Sequence, residues 1–410
     1  MSIQVEPLLP DYTSPVLQEK AEEIIALSGR FKNALHELTF KSVLELIVPM
    51  NIYYTNLIEN IDTNPIDIHN AIVNSQQMTD NPFRNRISDS EILINLERQL
   101  LEAIIFEEET KEYWSFSFIK NLHKQFFEKI PTEKRFVLSV KEEPIQIEPG
   151  EYREMGAKIQ RHIAPNPEDI SSLMLHFQNI YDTGRFHSIA QRLMNIAAQH
   201  HRLLFIHPFM DGNGRTARLQ TDVALFSEDL SNGLWMPSRG FARKLDVYRE
   251  KLSQADQSKL NASDGKGALS QAKLNEFCEF FFDVCIDQME FMSEKLKVST
   301  LQENYESMLQ YFVSRKAFPE EAILPLMHAF EFGKIKKHEF HRLYGKSDKP
   351  SKELGRKLVS LGFLKEDKKD VKKPYEIALP IHAALFLFPE MYPIQKEQEI
   401  LKNIQVILEK

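Results

Sequence analysis

Residues 207–218 read His207-Pro-Phe-Met-Asp211-Gly-Asn-Gly-Arg215-Thr-Ala-Arg218. The run follows an apolar stretch from about Ser188 to Phe205, where Ile189, Leu193, Ile196 and Ala197 recur at helical spacing. Another helical run, RLQTDVALF, comes directly after it. The stretch is therefore a loop that ends at a helix N-terminus. Free backbone N–H groups and the positive end of the helix dipole favour an anion there. Gly212 and Gly214 carry no Cβ, so a phosphate can approach the backbone closely. Asn213 tolerates a left-handed conformation and offers amide donors. Asp211 is a hard oxygen ligand suited to Mg²⁺ bridging phosphates. Arg215 and Arg218 lie three apart and supply two forks for phosphate oxygens. His207 titrates near neutrality and can take the proton of an incoming hydroxyl. Phe209 reads as the anchor that packs beneath the loop.

Working outward, the chain predicts a mostly α fold. Its 410 residues contain only 14 glycines, and apolar residues repeat at helical spacing over long stretches. Leu93, Leu96, Leu100, Leu101, Ile104 and Ile105 predict one helix. Leu173, Leu175, Phe177 and Ile180 predict another, entered through Pro167-Glu168-Asp169, with acid in the first turn where the dipole favours it. Residues 136–163 break the pattern. They alternate apolar and polar residues in places and carry Pro149-Gly150, which predicts a small β-hairpin or extended loop. Residues 254–274 are polar and rich in Gly, Ser and Asp, so they predict an exposed loop. Phe277 to Met292 predicts a strongly apolar helix.

A net charge of −8 argues against a chain that mainly binds nucleic acid. At 42% hydrophobic the chain can bury a sizeable core. Cys278 and Cys285 are seven residues apart on one predicted helix, too far to bridge, and read as buried apolar residues. No run approaches the ~18 uncharged residues of a spanning helix, and MSIQVEPLLPDYTSP lacks the pattern of a signal peptide. A cytoplasmic location without membrane contact is the expectation.

The run from His207 to Arg218 resembles the complete active-site motif of the Fic family, His-Pro-Phe-x-Asp-Gly-Asn-Gly-Arg-x-x-Arg, without departure. The resemblance implies a helical core and, as the commonest activity, transfer of AMP from ATP to Ser, Thr or Tyr hydroxyls of a protein. By position it implies that His207 is the general base and that Asp211 holds Mg²⁺. Gly212, Asn213 and Gly214 would form the anion hole. Arg215 and Arg218 would bind phosphates, with Arg218 nearest the γ-phosphate. The segment around Pro149-Gly150 resembles the family's flap, which lays a target backbone beside the site by strand pairing. The run RKLDVYREKL at 243–252 resembles the segment that contacts adenine, which makes Tyr248 a candidate ATP-binding residue. The similarity covers roughly residues 50–290.

Many Fic proteins carry an inhibitory helix with the pattern Ser/Thr-x-x-x-Glu-Gly/Asn, and Thr55-Asn-Leu-Ile-Glu59-Asn60 matches it. A carboxylate there can pair with the γ-phosphate-binding arginine, here Arg218, and hold the enzyme off. Ser299-Thr-Leu-Gln-Glu303-Asn304 also fits. Glu59 is the better match: it lies upstream of the core, and its flanks read as packed helix.

Residues 1–110 thus read as an N-terminal helical region with the inhibitory helix near 55–60, 111–295 as the catalytic core and 296–410 as a C-terminal domain. In the last, Glu321–Phe332, Lys336–Tyr344 and Ser351–Leu361 predict three short helices, followed by two β-like runs around a charged turn. That order resembles a winged helix. Basic residues outnumber acidic ones between Lys334 and Lys373, so DNA binding and protein contact are both open readings.

The expected function is protein adenylyltransfer, autoinhibited by Glu59, with ATP and Mg²⁺, onto a protein bearing an exposed hydroxyl or onto the chain itself, in a homodimer. The alternatives are the reverse reaction, a related phosphotransferase of the same fold, or a DNA-binding regulator with a vestigial core. The phosphate-transferring relatives place lysine at the second glycine of Gly-Asn-Gly, which is Gly214 here. The intact His207 argues against a vestigial site.

Overall fold

The computed structural model describes residues 4–31, 35–61, 63, 68 and 112–408, apart from 129, 131, 139–143, 160, 368 and 371. The expected helix from Leu93 to Ile105 lies outside the described residues. The fold is mostly helical, with strands confined to short pairs and one three-stranded sheet. Among the described residues, no helix is long and apolar enough to cross a membrane.

The chain packs as two compact units, one of residues 1–29, 51–63 and 70–290, the other of 30–50, 64–69 and 291–410. The division within helix α2 (Glu37–Ile58) falls at Met50–Asn51, just past Pro49, which has no N–H for the helix ladder.

In the first unit, α1 (Pro15–Ser28) and α3 (Phe116–Glu128) precede two short hairpins. β1 (Phe136–Leu138) pairs antiparallel with β2 (Pro144–Gln146), and β3 (Lys158–Ile159) with β4 (His162–Ile163). Pro149-Gly150 lies in the connection between the hairpins and not in either strand pair, so the predicted single hairpin is two. Gly150 sits at φ +79°, and its N–H reaches Nδ1 of His123, which ties this connection to α3.

Helices α4 (Ile170–Tyr181), α5 (Ile189–Ile206) and α6 (Asn213–Ser227) follow. Helix α5 is the axis of the unit, packed by α1, α4 and α6. Leu193, Ile196, Ala197, Ala198, Leu203 and Ile206 are all at most 1% exposed, and each large apolar side chain so buried stabilises by roughly 1.5–3 kcal/mol. Polar residues on its other faces are also buried and have partners. Gln220 Nε2 donates to Gln199 Oε1 (2.7 Å), and Arg202 Nε donates to the Pro7 carbonyl (2.9 Å). Helices α7 (Ser238–Arg243), α8 (Leu245–Ala255) and α9 (Gln271–Lys295) add an aromatic cluster of Phe241, Tyr248, Phe277, Phe280 and Phe281. Cys278 and Cys285 are buried free thiols, and burial pushes Cys278 up to about 12.

In the second unit, α10 (Val298–Ser314) packs on α11 (Ile323–Phe332) and on α14 (Ala383–Leu387). Helices α12 (Lys337–Tyr344) and α13 (Asp348–Ser360) fall close to the predicted runs. β5 (Lys334–Ile335), β6 (Leu364–Lys365) and β7 (Tyr375–Ile377) form an antiparallel sheet in the order β5-β7-β6. Strand β5 is too short to show a period in the sequence. The first half of α2 is tied to this unit by Thr39 Oγ1 donating to the Phe330 carbonyl (2.7 Å) and Ser42 Oγ to the Ile377 carbonyl (3.1 Å). α15 (Ile394–Leu408) follows last. Lys337, Lys346, Lys352, Lys365 and Lys373 each pair with a carboxylate, but only the partners of Lys346 and Lys365, Glu321 and Glu45, come from outside the basic stretch, so its surplus remains.

Candidate active site

The stretch from His207 to Arg218 joins α5 to α6. Helix α5 ends on His207, which takes the left-handed conformation (φ 50°, ψ 60°) while its N–H returns to the Leu203 carbonyl (3.0 Å). Left-handed backbone is uncommon outside glycine and costs strain unless the surroundings enforce it. Arg153 enforces it: its backbone N–H donates to the Pro208 carbonyl (2.9 Å) and its Nε to the His207 carbonyl (2.8 Å). The other two nitrogens of its guanidinium donate to the carbonyls of Met155 and Pro165. The buried guanidinium therefore holds the loop to the two segments flanking β3–β4. Nothing in its sequence context marks Arg153 for this task, because its partners are carbonyls brought together by the fold.

Within the loop, Phe209 is fully buried and stacks on His123 from α3 at 3.9 Å and 9°. His123 Nε2 donates to the Asp211 carbonyl (3.1 Å), and its Nδ1 accepts from Gly150, which defines the tautomer. Burial, with a contribution from Arg215, pushes His123 down to about 4, so it is a neutral strut. Asn213 closes the turn on itself: Phe209 N–H donates to Oδ1 (2.9 Å) and Nδ2 donates to the Phe209 carbonyl (2.8 Å). The expected amide donors of Asn213 are thus taken up inside the loop. At the entry to α6 the left-handed residue is Gly212 (φ 76°), not Asn213, which already belongs to α6. A Cβ on Gly212 would meet the Phe127 ring at 2.6 Å.

No side chain caps the N-terminus of α6, so its first N–H groups stay available. Asp211 presents its carboxylate at the rim, 45% exposed, where Oδ2 accepts from Arg215 Nη2 (3.2 Å). Arg215 lies over the Phe126 ring at 4.5 Å. Arg218 is 3% exposed and turns toward the end of α2. Its Nη2 donates to Glu59 Oε1 (2.6 Å) and its Nε to Thr55 Oγ1 (2.6 Å).

Each position of the 55–60 pattern has a physical reason. Thr55 accepts from the arginine. Glu59 forms the ion pair at the helix C-terminus, where the dipole alone disfavours a carboxylate. Asn60 takes φ 58°, which glycine and asparagine tolerate best, as the chain leaves the helix. Burial raises the Glu59 carboxyl, but Arg218, backed by Arg215 and Arg249, outweighs this and holds it below the usual range. A Cβ on Gly214 would stand 2.5 Å from Glu59 Oε1, so the bare glycine is what admits the carboxylate to the mouth of α6. Glu303, the competing match, is exposed on α10 in the second unit.

His207 is half-buried at the loop's other edge. Burial, then the charges of His162 and Arg153, push it down to about 4, so the imidazole is neutral at pH 7 with a nitrogen open to accept a proton. Tyr248 differs from expectation. It is 3% exposed, stacked on Phe241 at 4.4 Å, and its hydroxyl bonds His200 Nε2 (2.7 Å). The same hydroxyl interacts with Arg218. As placed, Tyr248 supports the arginine from within the core and offers no face to a nucleotide. Its helical spacing could not separate these roles, since both need an inward aromatic.

Comparison with known proteins places residues 113–225 in the Fic/DOC family. The protein adenylyltransferase Fic of Aedes aegypti is 39% identical over 82 residues, which cover 19% of this chain and 16% of that protein. The protein of the same name from Drosophila melanogaster is 41% identical over 80 residues, again 19% and 16%. The matched region is thus a small part of these curated relatives. A crystal structure of a Fic family protein from Desulfovibrio desulfuricans G20 aligns with a TM-score of 0.49 at 16% identity, covering 90% of this chain and 98% of that one. The family match runs from the start of α3 into α6 and contains every residue of the loop just described, so residues 113–225 of this chain form a Fic domain.

Proposed function

We propose that the protein transfers AMP from ATP to a hydroxyl side chain of a protein. The observation that carries this reading is the pairing of an uncapped helix N-terminus, flanked by Arg215 and Arg218, with a neutral imidazole at its edge. The N–H groups and arginines suit the phosphates of a nucleotide. The neutral His207 suits proton removal from an incoming hydroxyl. In the step, the hydroxyl oxygen bonds the α-phosphorus as the bond to the bridging oxygen breaks. The hydroxyl proton passes to His207, pyrophosphate leaves and AMP stays on the target.

Mg²⁺ fits the donor set as a partly hydrated ion. Asp211 gives one half-exposed carboxylate beside the phosphate-binding backbone, and Mg²⁺ commonly takes one or two carboxylates together with phosphates. Among the described residues no cluster of acids, histidines or cysteines makes a closed cage. When bound, the ion would neutralise phosphate charge; Asp211 would hold it and Arg215 would orient Asp211.

The resting arrangement is autoinhibited on this reading. Glu59 occupies the Arg218 guanidinium that would otherwise hold the γ-phosphate. The second unit, with its helices and small antiparallel sheet, we read as a winged-helix module. Cytoplasmic location, self-modification and a homodimer belong to the same proposal. The test is to incubate the protein and its Glu59→Gly variant with ATP labelled on the α-phosphate and a cell lysate. Transfer of the α-label, but not of γ-label, to protein supports the reading. Transfer of γ-label instead makes the protein a phosphotransferase.

A further inference from the structure

We infer that a groove beside the His207 loop docks a basic, apolar-bearing segment of the target protein. The inference rests on the transfer reading above and names the class of target it serves. The groove encloses about 930 Å³, at the upper end of what ligand pockets span, and Met210 of the loop forms part of its wall. Arg153 forms another part and is bonded directly to the His207 and Pro208 carbonyls. A chain seated in the groove therefore runs against the same backbone that carries the base.

The lining has two characters. Phe116, Met155 and Leu175 are 37%, 50% and 50% exposed, large apolar side chains gathered in one depression. Leu175 is instructive, because its neighbours Leu173 and Phe177 are fully buried while it faces the groove. Exposed apolar residues scattered singly need no explanation, but a cluster rimmed by charge marks a binding surface.

The rim is acidic. Four carboxylates line it, Glu148, Glu151, Glu154 and Glu168, against two cations, Lys120 and Arg153. Lys120 already pairs with Glu151 at 3.0 Å, and Arg153 is buried against three carbonyls. Glu148, Glu154 and Glu168 are exposed and make no ion pair among the described residues. The unbalanced charge selects lysine and arginine on the occupant, and the apolar floor selects a hydrophobic side chain between them. Complementary charge of this kind steers encounter and discriminates partners more than it adds affinity.

The experiment uses the full-length Glu59→Gly protein and two synthetic peptides. Both carry one tyrosine, one threonine, one serine and a leucine, flanked by Lys and Arg in one and by Asp and Glu in the other. The basic peptide should show a KM lower by about five- to tenfold, the scale of a few exposed ion pairs, and the difference should shrink in high salt. Adding Glu154→Lys and Glu168→Lys should reverse the preference, with the KM for ATP unchanged. Glu154→Gln with Glu168→Gln should abolish it, which guards against a reversal that fails through misfolding. Equal KM values for the two peptides, or an unchanged ratio in both double variants, would overturn the docking proposal while AMP transfer stands. Absence of labelled peptide together with absence of self-labelling would overturn the transfer reading, and the docking proposal with it.

Discussion

Arg218 and Glu59 meet at 2.6 Å across 159 residues of sequence, with Thr55 on the other edge of the same guanidinium. On the proposed reading, the arginine that would hold a nucleotide's terminal phosphate is already bonded to the protein's own carboxylate. Replacing Glu59 by glycine should therefore raise α-label transfer by roughly tenfold or more, since a charge-assisted contact is worth ~1.5–3 kcal/mol. Combining it with Arg218→Ala should cancel the gain. Glu303→Gly should change nothing, and activation by Glu303→Gly alone would refute the assignment of the switch.

Removal of the base should separate chemistry from binding. In the Glu59→Gly background, His207→Ala should lower transfer by ~10²–10⁴ while calorimetry finds ATP affinity nearly unchanged. If His207 is the base, as proposed, its value of about 4 should govern the pH dependence of the free enzyme. The ratio kcat/KM should be flat between about pH 6 and 8 and fall toward pH 4 as His207 takes a proton. A fall beginning near pH 7 would place another group in that role.

Asp211→Asn should weaken Mg²⁺-dependent ATP binding and nearly eliminate transfer, because the amide keeps the shape and loses the charge. Titrating Mg²⁺ against ATP affinity in the two proteins checks this. Identical Mg²⁺ dependence would place the ion elsewhere.

The loop-closing role of Asn213 gives a different signature. Asn213→Ala removes both hydrogen bonds to Phe209 and should cost ~1–3 kcal/mol of stability, read as a lower thermal midpoint, along with lost activity. Asn213→Asp keeps the acceptor for the Phe209 N–H and should recover part of the stability. A side chain that only touched nucleotide would leave the melting curve of the free protein unmoved.

Acid should destabilise the first unit through its buried neutral histidines. His123 and His207 are pushed down to about 4 and His200 to about 3, against 6.5 for an ordinary histidine. Below about pH 6.5 the unfolded chain binds protons that the folded chain refuses, so stability falls as pH drops from 6.5 toward 4. His162, raised by Asp256 against the lowering effect of burial, acts in the opposite sense. His123→Gln should therefore flatten the dependence of thermal midpoint on pH between about 5 and 7; a slope equal to the parent's would show that His123 does not contribute.

The helices and the loop between two of them were legible in the sequence because both are local. Helical spacing from Ser188 to Phe205 and the glycines, aspartate and arginines packed into residues 207–218 specify a helix, a turn and a second helix without reference to distant residues. The 55–60 pattern was legible, and the family resemblance implied its pairing with Arg218. The fold supplies the geometry of that contact and the reason for it, a glycine at 214 with no Cβ to keep the carboxylate out. Arg153, His123 and Tyr248 belong wholly to the tertiary structure. Their partners are backbone carbonyls, a stacked ring and a buried imidazole from other elements. Such partners leave no spacing in the chain, because a guanidinium or an imidazole recognises a position in space and not a neighbour in sequence.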